Sequence, residues 1–333
     1  MPSFARCDHV ARKSKFLVPL IFLAAFYSFL IGAALSPSLP SPEKPLLFYS
    51  NQERDDFRLV LKRSFEKARN SIHITMYSIT DEELLKKLLQ KAQKGLSVRL
   101  WHDPHSGSTL VPPPIASTPV KTKGLMHRKI VVIDDVLVFL GSANMTTSSL
   151  VLHDNLTLGF YHPPLAHFLN HPDKTFFDFR IGEQSAELWL LPDPNALDAL
   201  LGAISQAKSS IFVAMFTLTH PQLLQAIVLA HQRGLQVTVA LDQYASRGAS
   251  KKAVQFLQSH KIPLIFSQGQ QLLHHKWAYI DRSSLILGST NWTKAAFTKN
   301  QDCLLFLYNL TKPQQKLFNR LCDTITVESK DTL

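Results

Sequence analysis

The chain has 333 residues, of which 45% are apolar and 18% are charged. This proportion excludes a wholly disordered chain, and the length suggests about two domains of ordinary size. Lysine and arginine outnumber aspartate and glutamate by 36 to 25, a formal charge of +11. The excess favours an anionic partner such as a phosphate ester of lipid or nucleic acid. Three cysteines without a CxxC pair exclude a disulfide scaffold, although a cystine between Cys303 and Cys322 stays open.

The first predicted element is an apolar segment, residues 16–35, which contains no charged residue. At about 1.5 Å per residue, a helix of this length spans the roughly 30 Å hydrocarbon core of a bilayer. Four basic residues and one acidic residue precede it, so we expect the N-terminus to be cytoplasmic and the rest of the chain to lie on the other side. The alternative is a cleaved signal peptide and a secreted protein, but signal segments are usually shorter.

The next segment, residues 36–45, contains four prolines and three serines and is predicted to be a stiff stalk. Without residues 1–35, 32 basic residues remain against 24 acidic ones, a charge of +8. The basic character therefore belongs to the part of the chain that we expect to fold.

Beyond the stalk the chain contains an internal repeat. Residues 70–80 (NSIHITMYSIT) resemble residues 209–219 (SSIFVAMFTLT) at an offset of 139, and the similarity continues through the next helix and strand. Each unit reads as strand, helix ending at a glycine, and strand, which predicts parallel pairing in an α/β sheet. The repeat predicts two domains, residues 46–165 and 187–325, joined by a linker at 166–186.

The same pattern, HxKx4Dx6GSxN, follows the second strand of each copy with identical spacing. Two chance occurrences in register with an independent repeat are very improbable. The first copy supplies His127, Lys129, Asp134, Ser142 and Asn144, and the second supplies His274, Lys276, Asp281, Ser289 and Asn291.

These residue types suit phosphodiester chemistry, which needs a nucleophile, a proton for the leaving oxygen and positive charge around the phosphoryl group. Histidine can serve as nucleophile or as acid, and lysine can hold phosphoryl oxygens. Because side chains alternate along a strand, the histidine and lysine of HxK are predicted to point to the same side. His275 falls at an intervening position and is predicted to have no role.

The two motifs resemble the HKD motif of the phospholipase D superfamily, and the resemblance covers about residues 46–310. It implies two α/β sandwich domains with central mixed sheets, related by a pseudo-twofold axis, with both motifs in one pocket and neither metal nor cofactor. It also implies a covalent phosphohistidine, with His127 as nucleophile and His274 as acid. The remaining motif roles would be catalytic for Lys129, Asp134, Lys276 and Asp281, and phosphate-binding for Ser142, Asn144, Ser289 and Asn291. Asp134 and Asp281 could equally be structural turn residues, since each follows a strand and precedes a hairpin partner.

Members of this superfamily often carry an acid about eleven residues beyond the motif asparagine, where it orients a catalytic imidazole. Asp302 occupies that position in the second copy, and the first copy has Asn155 there with Asp154 beside it. Either the halves are unequal or Asp154 substitutes in a shifted register.

The sequence therefore predicts a membrane-anchored phosphodiesterase that hydrolyses phospholipid head groups or transfers the phosphatidyl group to an alcohol. We expect the bilayer to be contacted through residues 16–35, and no protein partner can be inferred. One alternative is a nuclease of the same superfamily acting on DNA or RNA, although no interleaving of basic and aromatic residues is seen. Another is a catalytically silent membrane-bound scaffold that binds anions, which the two complete motifs disfavour.

Overall fold

Two β-sheets organise the chain in the computed structural model, which describes residues 37–107, 111–268 and 271–329. The described residues from Leu39 onward form one compact unit. The predicted anchor at 16–35 lies outside the described residues. Within the described residues, no helix combines the length and the hydropathy needed to cross a bilayer.

The first sheet has seven strands in the order β1-β7-β6-β5-β2-β3-β4. Its strands are β1 (Leu46–Tyr49), β2 (Ser71–Met76), β3 (Ser97–His102), β4 (Ala116–Pro119), β5 (Lys129–Ile133), β6 (Leu137–Gly141) and β7 (Thr157–Tyr161). The helices of this half are α1 (Phe57–Lys67), α2 (Glu82–Gln93), α3 (Thr147–Val151) and α4 (Pro163–Asn170), with a short 3-10 turn at Asn51–Glu53.

The second sheet has eight strands in the order β12-β11-β10-β13-β14-β15-β9-β8. They are β8 (Phe176–Ile181), β9 (Gln184–Leu190), β10 (Ser210–Met215), β11 (Gln236–Leu241), β12 (Leu264–Phe266), β13 (Lys276–Ile280), β14 (Ser284–Gly288) and β15 (Cys303–Leu307). The helices are α5 (Pro194–Gln206), α6 (Pro221–Gln232), α7 (Gln243–Arg247), α8 (Lys251–Ser259), α9 (Lys294–Thr298) and α10 (Lys312–Glu328).

The two sheets repeat one topology, which confirms the predicted duplication. In each copy the first two strands pair in parallel (β2 with β3, β10 with β11), and the motif strand pairs antiparallel with the first (β5 on β2, β13 on β10). Burial alternates along β2, since Ile72, Ile74 and Met76 are all buried and the residues between them are not. Gly95 and Gly234 end the equivalent helices with φ of 89°, the left-handed conformation that glycine adopts without steric cost.

The segment predicted as a linker, residues 166–186, contains regular structure instead. It includes the end of α4, all of β8 and the start of β9, and the β8–β9 hairpin extends the second sheet at β15. Cys303 and Cys322 both carry free thiols, so the cystine left open by the sequence is not formed.

A shared apolar core lies between the two sheets. Side chains of the first sheet such as Ile130, Leu140 and Phe160 belong to one buried cluster with Leu188 and Trp277 of the second. Helices α4 and α10 also contribute to this core. The other face of the first sheet is covered by α1 and α2, and that of the second by α5, α6 and α8, in two further clusters. The motif strands β5 and β13 thus run through the middle of the fold, buried along their whole length.

Candidate active site

The two motif histidines immediately precede the central strands β5 and β13, where segments of the two copies cross. Met126 pairs with Gln301 in an isolated bridge, and Leu273 pairs with Asp154 in an equivalent one. The backbone N–H of His127 donates to the carbonyl of Gln301 at 2.7 Å. The first motif therefore lies beside the residues just before β15 of the second copy, and the second motif lies beside those just before β7 of the first copy.

This crossing gives His127 a carboxylate partner from the second copy. Nδ1 of His127 lies 2.7 Å from Oδ1 of Asp302, which also accepts the Ser289 hydroxyl at 2.6 Å. Burial raises the pKa of Asp302, but His127 and Lys129 outweigh this and hold the pKa below its usual value. The aspartate is therefore ionised, and it fixes the His127 proton on Nδ1.

His274 receives an amide in the corresponding place. Nδ1 of His274 lies 3.0 Å from Oδ1 of Asn155, which also accepts the Ser142 hydroxyl at 2.8 Å. The Asn155 Nδ2 donates to the carbonyls of Ser149 (2.8 Å) and His153 (3.2 Å). Because these carbonyls can only accept, the amide oxygen must face His274, whose Nδ1 must then be the donor.

The surroundings of both imidazole rings favour their neutral forms. Burial and the charge of Lys129 lower the pKa of His127, although Asp302 acts in the opposite direction. Burial lowers the pKa of His274 well below its usual value, and Lys276 and Lys129 act in the same direction. With the proton on Nδ1, each Nε2 carries a lone pair, and neither Nε2 has a hydrogen bond within the described chain.

The two lysines of the motifs are almost wholly buried. Lys129 Nζ donates to the carbonyl of His127 at 2.7 Å and lies over the Tyr77 ring, 5.2 Å from its centroid. Lys276 donates to the carbonyl of His274 at 2.9 Å and lies at the same distance from the Phe216 ring. Burial lowers the pKa of Lys129 to about 7, and burial together with the Lys129 charge lowers the pKa of Lys276 well below its usual value. An anion placed between these groups would restore their charged forms.

The motif asparagines are half-buried in the turns before α3 and α9. Oδ1 of Asn144 and Oδ1 of Asn291 are buried without a hydrogen bond in the described chain. Their amides thus have unused hydrogen-bonding capacity, like Nε2 of each motif histidine.

The motif serines do not have free hydroxyls, which favours a structural role for Ser142 and Ser289 over the predicted phosphate-binding one. Each is buried, donates to the residue that holds a histidine, and accepts a backbone N–H, from Leu156 (3.1 Å) or Cys303 (2.9 Å). They fix Asn155 and Asp302 and have no donor left for a phosphate.

Asp134 and Asp281 belong to turns, which favours the structural alternative over the predicted catalytic role. The Asp134 carboxylate accepts three backbone N–H groups at 2.7–2.9 Å, from Arg69, Asn70 and Ser71. Asp281 accepts the corresponding groups of Lys208, Ser209 and Ser210. Both aspartates follow the far end of the motif strand, about 16 Å from the lysine at about 3.3 Å per residue.

Two further positions differ from the prediction, one in each copy. Asp154 does not substitute for an orienting acid, because its carboxylate accepts from Asn51 and Asn155 holds the imidazole. His275 is not without a role, since it is fully buried and its Nε2 lies 2.8 Å from Oε1 of Gln52. Sequence reasoning missed Tyr77 and Phe216, although both aromatic residues occupy the same position of the repeat.

Comparison with known proteins identifies the family. The model of the family described as "Cardiolipin synthase, PLD-like domain" matches residues 61–171 and 200–322. This chain belongs to that family and thus to the phospholipase D superfamily, as its motifs suggested.

Individual relatives match parts of the chain. Mouse mitochondrial cardiolipin hydrolase is 35% identical over 114 residues, 34% of this chain and 51% of the relative. A Rickettsia felis phospholipase D is 25% identical over 130 residues, 39% of this chain and 64% of the relative. The chain thus spans about half the length of the curated cardiolipin hydrolases that it matches. Phosphatidylserine synthase of Haemophilus influenzae has the same fold, with a TM-score of 0.66, 16% identity and 87% of each chain covered.

Proposed function

We propose that this protein is a phosphodiesterase of the phospholipase D type that acts on phospholipid head groups through a phosphohistidine. The observation that carries the proposal is the exchange of partners between copies, Asp302 on His127 and Asn155 on His274. It gathers two histidines and two buried lysines into one centre suited to a single phosphodiester. The names of the relatives, cardiolipin hydrolase and phospholipase D, support a phospholipid as the substrate.

His127 is the nucleophile in this proposal. Its Nε2 attacks phosphorus, the bond between phosphorus and the leaving oxygen breaks, and the ring keeps its proton on Nδ1. The phosphorylated ring is then a cation, which the Asp302 carboxylate at 2.7 Å stabilises more than an amide would. Lys129 and Lys276 hold the phosphoryl oxygens, with the amides of Asn144 and Asn291 as further donors.

His274 is the acid and then the base. His274 takes up a proton on Nε2 when the anionic diester binds, because the negative charge stabilises the imidazolium. It gives this proton to the leaving oxygen in the first step, and an uncharged partner such as Asn155 favours this loss. In the second step Nε2 takes a proton from water, or from an acceptor alcohol, as the oxygen attacks phosphorus and the bond to His127 breaks. The products are phosphatidic acid or a new phosphatidyl ester, and both histidines return to their starting forms.

The test compares two classes of diester with the same full-length preparation. We expect vesicles of cardiolipin or phosphatidylglycerol to yield phosphatidic acid or transfer products, and single-stranded DNA to remain intact. The matched control is His127→Ala, which should be inactive on both. Cleavage of DNA without cleavage of lipid would make the protein a nuclease, and binding of vesicles without turnover would make it a scaffold.

The site of action in this proposal is a membrane surface. The support is the apolar segment 16–35 with basic residues before it, followed by a short stalk. Such an anchor would hold the catalytic part close to its substrate on the non-cytoplasmic side of the membrane.

A further inference from the structure

A cavity of about 300 Å³ lies on the opposite side of the first motif strand from the histidine–lysine centre. Side chains alternate along the strand, so Arg128 and Ile130 point away from the side that His127 and Lys129 occupy. Apolar residues line most of the cavity, among them Trp101, Ile130, Val132, Leu169 and Leu190, and Arg128 also lines it. The volume is at the lower end of the range for small-molecule sites.

Arg128 is a cation without a counter-ion at this cavity. Its Nε donates to the carbonyl of Asp302 at 3.3 Å, and its Nη2 donates to the carbonyl of Leu191 at 3.1 Å. The described chain places no carboxylate within ion-pair distance of it. Burial lowers the pKa of Arg128, and the charges of Cys303 and Asp302 act in the opposite direction. The guanidinium stays protonated, and most of its five N–H donors make no hydrogen bond within the described chain.

The second copy provides an internal comparison. At the positions of Arg128 and Ile130 it carries His275 and Trp277. Trp277 is fully buried and stacks on Phe212, with 5.6 Å between ring centroids. At these two positions the second copy thus has an indole and a pKa-depressed histidine, whereas the first copy has a smaller aliphatic side chain and a permanent cation.

We propose that the cavity is a second binding site, for an anion with an aliphatic tail. The anionic head, a carboxylate or a phosphate monoester, pairs with Arg128, and the tail lies along Trp101, Ile130 and Leu190. A charge-assisted bond to the guanidinium supplies orientation, and burial of the tail supplies affinity. This site is distinct from the phosphodiester centre and does not depend on the proposed activity.

The experiment titrates the full chain by calorimetry with octanoate, octyl phosphate and octanol. The same titrations are repeated with His127→Ala, which alters the histidine–lysine centre and should leave binding at the proposed site unchanged. We expect one saturable site for the two anions, with octanol about tenfold weaker or worse. The stronger of the two anions identifies a fatty acid or a phosphate monoester as the head group.

Two variants locate the site. Ile130→Trp reproduces the second copy and should abolish binding, while Arg128→Met should weaken the anions about tenfold and leave octanol unchanged. Trp101→Phe should remove a ligand-dependent change in fluorescence, which keeps the test valid if the other variants fail to fold. Absence of saturable binding, equal affinity for octanol, or unchanged binding by a folded Ile130→Trp would each overturn the proposal.

Discussion

Oδ1 of Asn155 lies 3.0 Å from Nδ1 of His274, and the amide is held in that orientation by two carbonyl oxygens behind it. An aspartate here would direct one carboxylate oxygen at the carbonyls of Ser149 and His153. Asn155 is therefore fitted to its surroundings and is not merely a position where an acid is missing. Asp302, by contrast, has a buried Oδ2 without a hydrogen bond in the described chain, and its Oδ1 is shared between His127 and the Ser289 hydroxyl.

We expect Asp302→Asn to lower kcat on a phospholipid by roughly ten- to a thousandfold, with little change in melting temperature. The carboxylate stabilises the cationic form of His127 and offsets the charge of Lys129, and an amide does neither fully. The measurement is kcat of the variant at several pH values, together with thermal melts.

Asn155→Asp is the matched control for that substitution and should behave differently. It should destabilise the fold by about 2 kcal/mol, because two donated hydrogen bonds are replaced by contacts between oxygens. Small and equal effects of the two substitutions on kcat and on melting would show that neither residue orients a histidine.

Single removal of either histidine tests whether the two motifs serve one centre. His127→Ala and His274→Ala should each lower turnover by about a thousandfold or more, because residues that act as a unit are not additive. Intact melting transitions would show that both variants fold. Retention of a large share of activity in either variant would indicate two independent sites.

The sequence was sufficient to predict the duplication and the position of the motifs, because both depend on local periodicity and spacing. The mixed sheets were implied by the resemblance to the superfamily. It could not show the exchange of partners, which depends on the bridges from Met126 to Gln301 and from Leu273 to Asp154. The same limit explains the motif serines. A hydroxyl next to a catalytic motif suggests a phosphate donor, but Ser142 and Ser289 reach residues thirteen positions further on.

The β8–β9 hairpin shows a different limit. Residues 166–186 were predicted to be a linker, and the strand Phe176–Ile181 falls within that range. Its place in the second sheet is set by pairing with β9, so only the tertiary structure assigns it to that half.

The depressed pKa values of the lysines predict that binding of an anion takes up protons. Burial lowers the pKa of Lys129 to about 7, so at pH 8 this lysine is mostly neutral until an anion favours the ammonium. Calorimetry with sulfate at pH 8, in buffers of different ionisation enthalpy, measures the number of protons taken up on binding. We expect fewer protons to be taken up by Lys129→Met than by the wild type. At pH 6 Lys129 is already charged, so the variant and the wild type should take up similar amounts. Equal uptake at pH 8 would show that the Lys129 pKa is not depressed.

The predicted anchor can be tested by measuring the membrane topology of the protein in sealed spheroplasts. Protease added to spheroplasts should degrade the catalytic part, because the basic residues before the segment 16–35 hold the N-terminus in the cytoplasm. The fragment containing the anchor should stay in the membrane pellet. Protection until lysis would reverse the topology, and a mature N-terminus beyond residue 30 would identify a cleaved signal peptide.

The turn aspartates provide a test that separates stability from catalysis. Asp134 has φ of 52° and accepts three backbone N–H groups, so alanine there loses a charged acceptor and is strained as well. We expect Asp134→Ala to lower the free energy of unfolding by roughly 2–3 kcal/mol and Asp134→Asn to lower it less, because asparagine tolerates this conformation and still accepts. At a temperature where both variants are folded, kcat should stay within about twofold of wild type, since the carboxylate lies about 16 Å along the strand from Lys129. A drop in kcat of tenfold or more at an unchanged melting temperature would show that Asp134 has a catalytic role.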